Sequence, residues 1–334
     1  MEKEPNISGK DLLPELRKEA VKEIARIKAE GKEKMAGEYK KTVMELRFIN
    51  LVNKYIAEEF EELGVDGFSQ IEPEQVHLLD HDGYYNSLNA RKTGRGTSRI
   101  MKGAAYICRD NPEHRLDTYV AMLHESVHLC SCEKTEIYTL ESDELHDFID
   151  TSRTGYANFI YVEDRYEGNH EHFRGLNEAV TDMFVIDFFT RHKGEIADCL
   201  QITENEASGF QLNYSVYVEL LEGIIEKISE FRNETSDETR KRFKRGALTG
   251  DMTHLRDIEH IYGPGSLRVL AAADSWVDGN EPNGEKIDKL FAFFKAEDDG
   301  EREKTALEIL NEREREAYLK IRRKSISDGE TISE

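Results

Sequence analysis

The residues with the clearest capacity for chemistry lie in the segment TYVAMLHESVHLC, residues 118–130. His124 and His128 are four positions apart, and Glu125 directly follows the first His. On a helix, side chains at this spacing project from neighbouring turns on one face, so both imidazoles can reach one ion. A catalytic zinc ion takes three protein ligands and keeps a position for water, whose proton a nearby Glu can accept. The HExxH pattern therefore predicts two ligands and a general base, and requires a third ligand from elsewhere.

The third ligand is predicted within FRGLNEAVTDMFVIDFF, residues 173–189, which has the apolar pattern of a second helix. Glu178 and Asp182 are four positions apart there and share a face. A third His six residues past His128 is excluded because that position is Lys134. Cys132 stays open as an alternative thiol ligand, because it lies one further turn along the first helix if that helix continues.

HESVH followed by LNEAVTD resembles the gluzincin metallopeptidases, the thermolysin-like clan, whose pattern is HExxH followed by NExxxD. The resemblance implies that His124, His128 and Glu178 bind zinc and that Glu125 activates the water. It also implies that Asp182 fixes the tautomer of one zinc-bound His, and Asn177 of the same motif is placed with it around the ligands. The 50 positions between His128 and Glu178 exceed the usual gap, which predicts an insertion at residues 133–174.

A hydrogen-bond donor is also expected to stabilise the oxyanion that forms when water adds to a carbonyl. His260 is selected for this catalytic role because the Gly-Pro-Gly turn after it, in DIEHIYGPGS, can present its side chain. Alternatives remain open at Tyr156, Tyr161, Tyr214, Tyr217 and Tyr262. His170 and His172, in GNHEHF, are interpreted as solvated loop residues.

The elements that must position these residues can be predicted from apolar spacing and turn-forming residues. The HExxH helix is predicted to begin at Asn111, where Pro112 suits a first helical turn. Two short apolar runs, EQVHLLDH (74–81) and SRIMKGAAYICRD (98–110), predict strands of a small sheet, with a loop at residues 89–98 between them. We expect a substrate peptide to lie extended along the strand at residues 99–108, as the edge of that sheet.

The predicted fold class is α+β and mostly α. The resemblance implies a zincin-like core, in which a small sheet and the active-site helix precede a helical subdomain. We expect an N-terminal helical region at residues 1–65 and a catalytic core at 66–190, which contains the insertion. A C-terminal helical subdomain is expected at 191–300, with a core helix in NYSVYVELLEGIIEKISEF. A charged helix and a disordered tail are expected at 301–334.

Composition limits the classes of partner. The 334 residues include 68 acidic and 46 basic side chains, for a formal charge of −22, which disfavours binding to nucleic acid and to anionic membranes. No signal peptide and no run of roughly 18 apolar residues stands out in the sequence. Four cysteines are too few for a secreted disulfide framework. We therefore expect a soluble cytoplasmic protein, and leave open export by a route that needs no cleavable signal.

These observations predict a zinc-dependent metallopeptidase that holds one zinc ion per chain and hydrolyses peptide bonds through a zinc-bound water activated by Glu125. The expected partner is a peptide or protein substrate. Two alternatives are kept: a non-catalytic helical interaction protein on a zincin scaffold, and a zinc hydrolase of a non-peptide substrate. An enzyme is favoured because a purely structural zinc site has no need of Glu125.

Overall fold

A computed structural model describes residues 7–8, 14–86, 88, 96–109, 115–140, 146–160, 170–212, 214–277 and 284–330. Within these ranges the strands are β1 (Ile7–Ser8), β2 (Val76–Leu79), β3 (Gly96–Arg99), β4 (Ala104–Cys108), β5 (Glu133–Leu140), β6 (His146–Thr154), β7 (Ala157–Ile160), β8 (His170–His172) and β9 (Ser275–Val277). The helices are α1 (Pro14–Glu30), α2 (Val43–Glu62), α3 (His81–Tyr85), α4 (Arg115–Cys130), α5 (Arg174–Arg191), α6 (Lys193–Leu200), α7 (Glu204–Ala207), α8 (Ser215–Arg232), α9 (Ser236–Thr249), α10 (Arg256–Tyr262), α11 (Ser266–Ala273), α12 (Gly284–Lys295), α13 (Asp299–Ile309) and α14 (Glu312–Glu330). The fold is α+β and mostly helical, as predicted.

The chain divides into two compact units that are discontinuous in sequence. The first contains Met1–Gly155, Thr181–Asn213 and Ala247–Gly250, and the second contains Tyr156–Val180, Tyr214–Gly246 and Asp251–Glu334. Helix α5 is one continuous element whose residues up to Val180 are assigned to the second unit and whose residues from Thr181 are assigned to the first. The sequence-based boundaries after residues 65, 190 and 300 stay predictions.

A three-stranded sheet precedes α4 in the first unit, in the order β2-β4-β3. β2 is parallel to β4, and β3 is antiparallel to it with Gly96 opposite Ile107 and Arg99 opposite Ala104. All residues of β2 and β4 are buried, whereas β3 is partly exposed. The small sheet predicted before the HExxH helix is thus confirmed.

Three details of that sheet were predicted wrongly. The run SRIMKGAAYICRD is not one strand, because a 3₁₀ turn at Ile100–Lys102 and Gly103, with φ +56°, end β3 and begin β4. Most of residues 99–108 therefore do not form a sheet edge, since β4 is the central strand; of these residues, Arg99 belongs to β3, which is one of the two edge strands. The predicted loop at 89–98 also contains the start of β3, at Gly96. The predicted helix start at Asn111 lies outside the described residues.

Helix α2 is the support on which α4 and the later part of α5 rest. Thr42 caps α2 in a capping box with Glu45, which satisfies backbone N–H groups at the helix start. The Phe48 ring lies 4.8 Å from that of Tyr119 in α4 and 5.8 Å from that of Phe188 in α5, measured between centroids. Such aromatic pairs bury large apolar areas and fix the helices against one another. Of the region 1–65, residues 14–30 and 43–62 are helical, and the described side chains of α1 are mostly exposed.

The described residues of the predicted insertion at 133–174 are mainly β-structure. In the first unit, β5 pairs with β6 antiparallel and with β1 parallel. In the second unit, β8 pairs antiparallel with both β7 and β9. The connection between β7 and β8, residues 161–169, lies outside the described residues.

The second unit is largely helical beyond β8. Helix α8 is the predicted core helix and buries Tyr217, Leu221 and Ile225, among others. The charged C-terminal region forms two helices, α13 and α14, and not one. Residues 324–330, predicted as part of a disordered tail, continue α14, and residues 331–334 lie outside the described residues.

Candidate metal centre

The two histidines of the HExxH pattern face one point. Both residues lie on α4 and are buried, with whole-residue exposures of 7% for His124 and 6% for His128. Their Nε2 atoms are 3.1 Å apart. Two nitrogens bound tetrahedrally to one ion at about 2.05 Å from it are separated by roughly 3.3 Å. The i, i+4 spacing has therefore produced a nitrogen pair at the separation that a shared metal ion requires.

Helix α5 orients these rings through their other nitrogens. The Asp182 Oδ1 atom lies 2.8 Å from Nδ1 of His124, and the carboxylate is 1% exposed. An N–H at Nδ1 that donates to this carboxylate leaves the Nε2 lone pair free for a metal. Thr181 Oγ1 makes a longer contact, 3.5 Å, with Nδ1 of His128. The structure thus places Asp182 against His124 and Thr181 near His128, and sequence reasoning missed Thr181.

Glu178 lies one turn before Asp182 on the same helix. A carboxylate oxygen of Glu178 and one ring nitrogen each of His124 and His128 lie within 4.8 Å of one another, and all three residues are buried. Among the described residues, this is the group of His, Cys, Asp and Glu side chains that can hold a metal ion. Two imidazole nitrogens and one carboxylate oxygen suit zinc and other divalent transition metals. The donor set fits a metal ion, and its chemistry does not by itself select zinc.

The first turn of α5 carries further charged groups close to Glu178. Arg174 Nε lies 3.4 Å from Glu178 Oε1, and the Arg174 guanidinium also pairs with Glu171. Burial by itself lowers the pKa of Arg174, but the carboxylates of Glu178 and Glu171 outweigh it and raise the pKa above its usual range. Arg174 is consequently a fixed cation beside the candidate ligand.

The start of α5 is held from outside the helix by Asp274. Its two carboxylate oxygens accept hydrogen bonds from the backbone N–H groups of Gly175, at 2.7 Å, and Leu176, at 2.9 Å. These are N–H groups of the first turn, which have no partner within the helix. A Cβ at Gly175 would lie 2.1 Å from the Tyr217 ring, so only glycine permits this approach. Asp274 therefore acts as an N-cap that is 98 residues distant from Leu176 in sequence.

Glu125 is buried beneath the edge strand of the small sheet. Its side chain is 7% exposed, and a Cβ added at Gly96 of β3 would lie 2.8 Å from both Cγ and Oε1 of Glu125. Tyr84 lies nearby: burial raises the pKa of its hydroxyl, and the negative charge of Glu125 raises it further. The backbone of β3 thus approaches Glu125 more closely than any residue with a side chain allows.

Asn177 and His260 occupy different settings. Asn177 is buried, and its Oδ1 atom accepts a hydrogen bond of 2.9 Å from the backbone N–H of Tyr156. The His260 side chain on α10 is 63% exposed, lies 3.9 Å from Asp257 Oδ1, and has its ring 6.1 Å from that of Phe231. None of these three contacts includes a ligand of the candidate metal centre. The assigned roles of Asn177 and His260 stay predictions.

The five tyrosine alternatives are placed as follows. The Tyr156 hydroxyl donates to the Phe243 carbonyl at 2.8 Å and lies 2.7 Å from His254 Nε2. Tyr217 and Tyr262 are buried, and burial raises the pKa of Tyr262 to about 12. Tyr214 precedes α8 and is partly exposed, and Tyr161 lies outside the described residues.

The structure counts against the alternative thiol ligand. Helix α4 ends at Cys130, so Cys132 does not continue its metal-facing side. The backbone N–H of Cys132 donates to the Ala247 carbonyl, and the Cys132 Sγ packs against Gly250, where an added Cβ would lie 2.7 Å from it. Cys132 is not in the ligand group formed by the described residues.

His172, predicted as a solvated loop residue, lies in β8 and its Nδ1–H donates to the Ala271 carbonyl.

Comparison of the chain with protein-family models, with curated proteins and with solved structures finds no match. In the part of the chain that the structure describes, no helix has both the length and the apolar character to cross a membrane.

Proposed function

We propose that the chain is a zinc-dependent metallopeptidase whose ligands are His124, His128 and Glu178. The observation that carries the proposal is the convergence of two Nε2 atoms and one carboxylate, with a second buried carboxylate, that of Glu125, on the residue directly after the first ligand. Three protein ligands leave a coordination position for water, which is typical of catalytic zinc sites, whereas structural sites are closed by four.

The remaining residues have distinct roles in this proposal. Zinc, when bound, would polarise the scissile carbonyl and acidify a water molecule. Glu125 takes the proton of that water and delivers it to the leaving amine. Asp182 holds His124 in the tautomer that presents Nε2 to the site, through the bond of 2.8 Å. His260 stays the proposed oxyanion donor, with the tyrosines as alternatives.

The edge strand β3 favours a peptide over a non-peptide substrate. β3 has β4 on one side, and no described strand pairs with its other side. An extended peptide can add to such an edge through main-chain hydrogen bonds. Because Gly96 of β3 lies against Glu125, a peptide paired there would pass close to the general base. The proposed peptide therefore lies along β3, Gly96–Arg99, and not along the whole of residues 99–108.

The test is metal content, measured by plasma mass spectrometry on protein purified without chelator or affinity metal. We expect about one zinc ion per chain in wild type, loss of zinc in Glu178→Ala, and retention in Glu125→Ala. A peptide-library screen follows, in which wild type should cleave some member in a chelator-sensitive manner and Glu125→Ala should not.

Three outcomes would change the conclusion. Full zinc retention in Glu178→Ala would remove Glu178 from the ligand set. Zinc binding without cleavage of any peptide would favour a non-peptide substrate or the non-catalytic scaffold. No zinc in any form, even after zinc is added back, would reject the metallopeptidase and leave α4 as an ordinary helix.

A further inference from the structure

Three charged side chains form a cluster at the start of α5, with two carboxylates around one guanidinium. Arg174 and Glu178 are one helical turn apart, with Nε 3.4 Å from Oε1, and Glu171 pairs with Arg174 from β8. The relative exposures of the side chains are 29% for Arg174, 15% for Glu171 and 7% for Glu178. The cluster is thus a group of three mostly buried charges, one of which belongs to the candidate metal ligand Glu178.

The metal-free protein has a physical need for this arrangement. A buried carboxylate without a nearby positive charge is destabilising, and a neighbouring cation offsets that cost. Arg174 supplies such a charge to Glu178. Since Arg174 lies on the same helix, four positions earlier, it does so without any other element having to move.

A bound metal ion makes a competing demand on the same carboxylate. The ion would lie about 2 Å from a Glu178 oxygen, and it carries two positive charges. Arg174 would then lie within a few ångströms of the ion, with little water between them. The repulsion between the two cations opposes metal binding, and it is larger in a desolvated site than in water.

We infer that Arg174 is a placeholder cation, which stabilises the Glu178 carboxylate in the metal-free protein and competes with the metal ion for it. This inference rests on the metal centre of the proposed function and extends it to how the site is loaded. The chain can then fold before metal arrives, at the cost of a lower metal affinity. Glu171 moderates the competition, because it neutralises Arg174 when Glu178 is occupied by the ion.

Thermodynamic linkage gives two predictions of opposite sign. Removing the charge of Arg174 destabilises the metal-free state more than the metal-bound state. The free energy of metal binding must then become more favourable by the difference between these two destabilisations. We expect Arg174→Gln to bind zinc about tenfold more tightly than wild type. Glu171→Gln leaves the Arg174 charge unbalanced beside the ion, and we expect zinc binding about tenfold weaker.

The experiment uses the full chain and zinc as the probe. Zinc affinity is measured by competition with a chromophoric chelator, and Tm is measured for the metal-free and zinc-loaded forms of each variant. Arg191→Gln is a matched control, because Arg191 lies at the other end of α5 and pairs with the buried Glu59. This control should lower both Tm values to a similar extent and leave zinc affinity unchanged.

We expect Arg174→Gln to lower the Tm of the metal-free form more than that of the zinc-loaded form, together with the gain in affinity. Unchanged or weaker zinc binding by Arg174→Gln would overturn the inference while leaving the proposed zinc centre intact. If Arg174→Gln does not fold, Glu171→Gln decides, and unchanged or tighter zinc binding in that variant would equally overturn it. Wild type that binds no zinc would reject both the centre and the inference.

Discussion

The contact between Asp182 and His124 leads to a quantitative prediction for Asp182→Ala. The carboxylate is 1% exposed and lies 2.8 Å from Nδ1 of His124. A hydrogen bond to a charged group contributes roughly 1.5–3 kcal/mol. Without it, the Nδ1–H tautomer loses its advantage, and the competing tautomer places a proton on the nitrogen that faces the site. Since about 1.4 kcal/mol corresponds to a factor of ten in affinity, losing this hydrogen bond should weaken metal binding about 10- to 100-fold.

The assay is zinc competition with a chromophoric chelator at constant pH, on protein shown to be folded by circular dichroism. Asp182→Asn should lose less affinity than Asp182→Ala, because the amide oxygen can accept the same hydrogen bond without the charge. Asp187→Ala is the matched control, since Asp187 is another carboxylate of α5 that is only partly buried. An Asp182→Ala affinity within twofold of wild type, or an equal loss in Asp187→Ala, would refute the orienting role.

The remaining predictions concern packing, helix capping and pH. Gly96→Ala should lower the unfolding free energy by about 1–3 kcal/mol, because the added Cβ overlaps with Glu125. A double-mutant cycle in urea should show a smaller loss in a Glu125→Ala background. Equal losses in both backgrounds would contradict the contact. Asp274→Ala should cost about 2 kcal/mol of stability, because two backbone N–H groups of α5 lose their acceptor. Asp274→Asn should recover part of that stability, and an Asn variant no more stable than the Ala variant would count against capping. Burial lowers the pKa of His254 to about 4, whereas it is near 6.5 in the unfolded chain. The unfolded state therefore binds more protons between these values, so up to about 3 kcal/mol of stability, fully present above pH 6.5, is lost as pH falls to 4. His254→Gln should flatten that part of the stability profile of the metal-free protein, and an unchanged slope would exclude His254 as its source.

The part of the site that depends on spacing within one helix was predictable from sequence. The i, i+4 pairs His124 and His128, and Glu178 and Asp182, each share a face because the α-helix has 3.6 residues per turn. The apolar stripes beside them indicated that both helices pack into a core. What the spacing could not give is the metal's identity or the reaction, which stay proposals.

The contacts made by distant residues were not predictable. Asp274 gives no sequence signal for capping a helix that begins 100 positions earlier, and Gly96 reads as a loop residue until β3 is seen against Glu125. Arg174 has no functional signature, because an Arg at the start of a helix is usually solvated. In each case tertiary packing, and not local pattern, creates the interaction.

The strand boundaries and the C-terminal tail were misread for local reasons. An apolar run interrupted by a Lys and a Gly, as at residues 98–110, looks the same whether it forms one strand or two strands around a turn. The turn depends on the positive φ of Gly103, which is permitted by sequence and not demanded by it. At the other end of the chain, the polar composition of residues 324–330 suggested disorder, but these residues continue the helix that begins at Glu312.

The placement of Glu178 and Asp182 on one helix has a kinetic consequence. A rigid helix moves as a whole, so a displacement of α5 would withdraw the proposed ligand Glu178 and release the orientation of His124 in the same event. Ligands carried on separate loops would instead detach one at a time. The rate at which a chelator removes the metal should then be limited by the displacement of α5. Once this displacement is rate-limiting, the removal rate should no longer depend on chelator concentration.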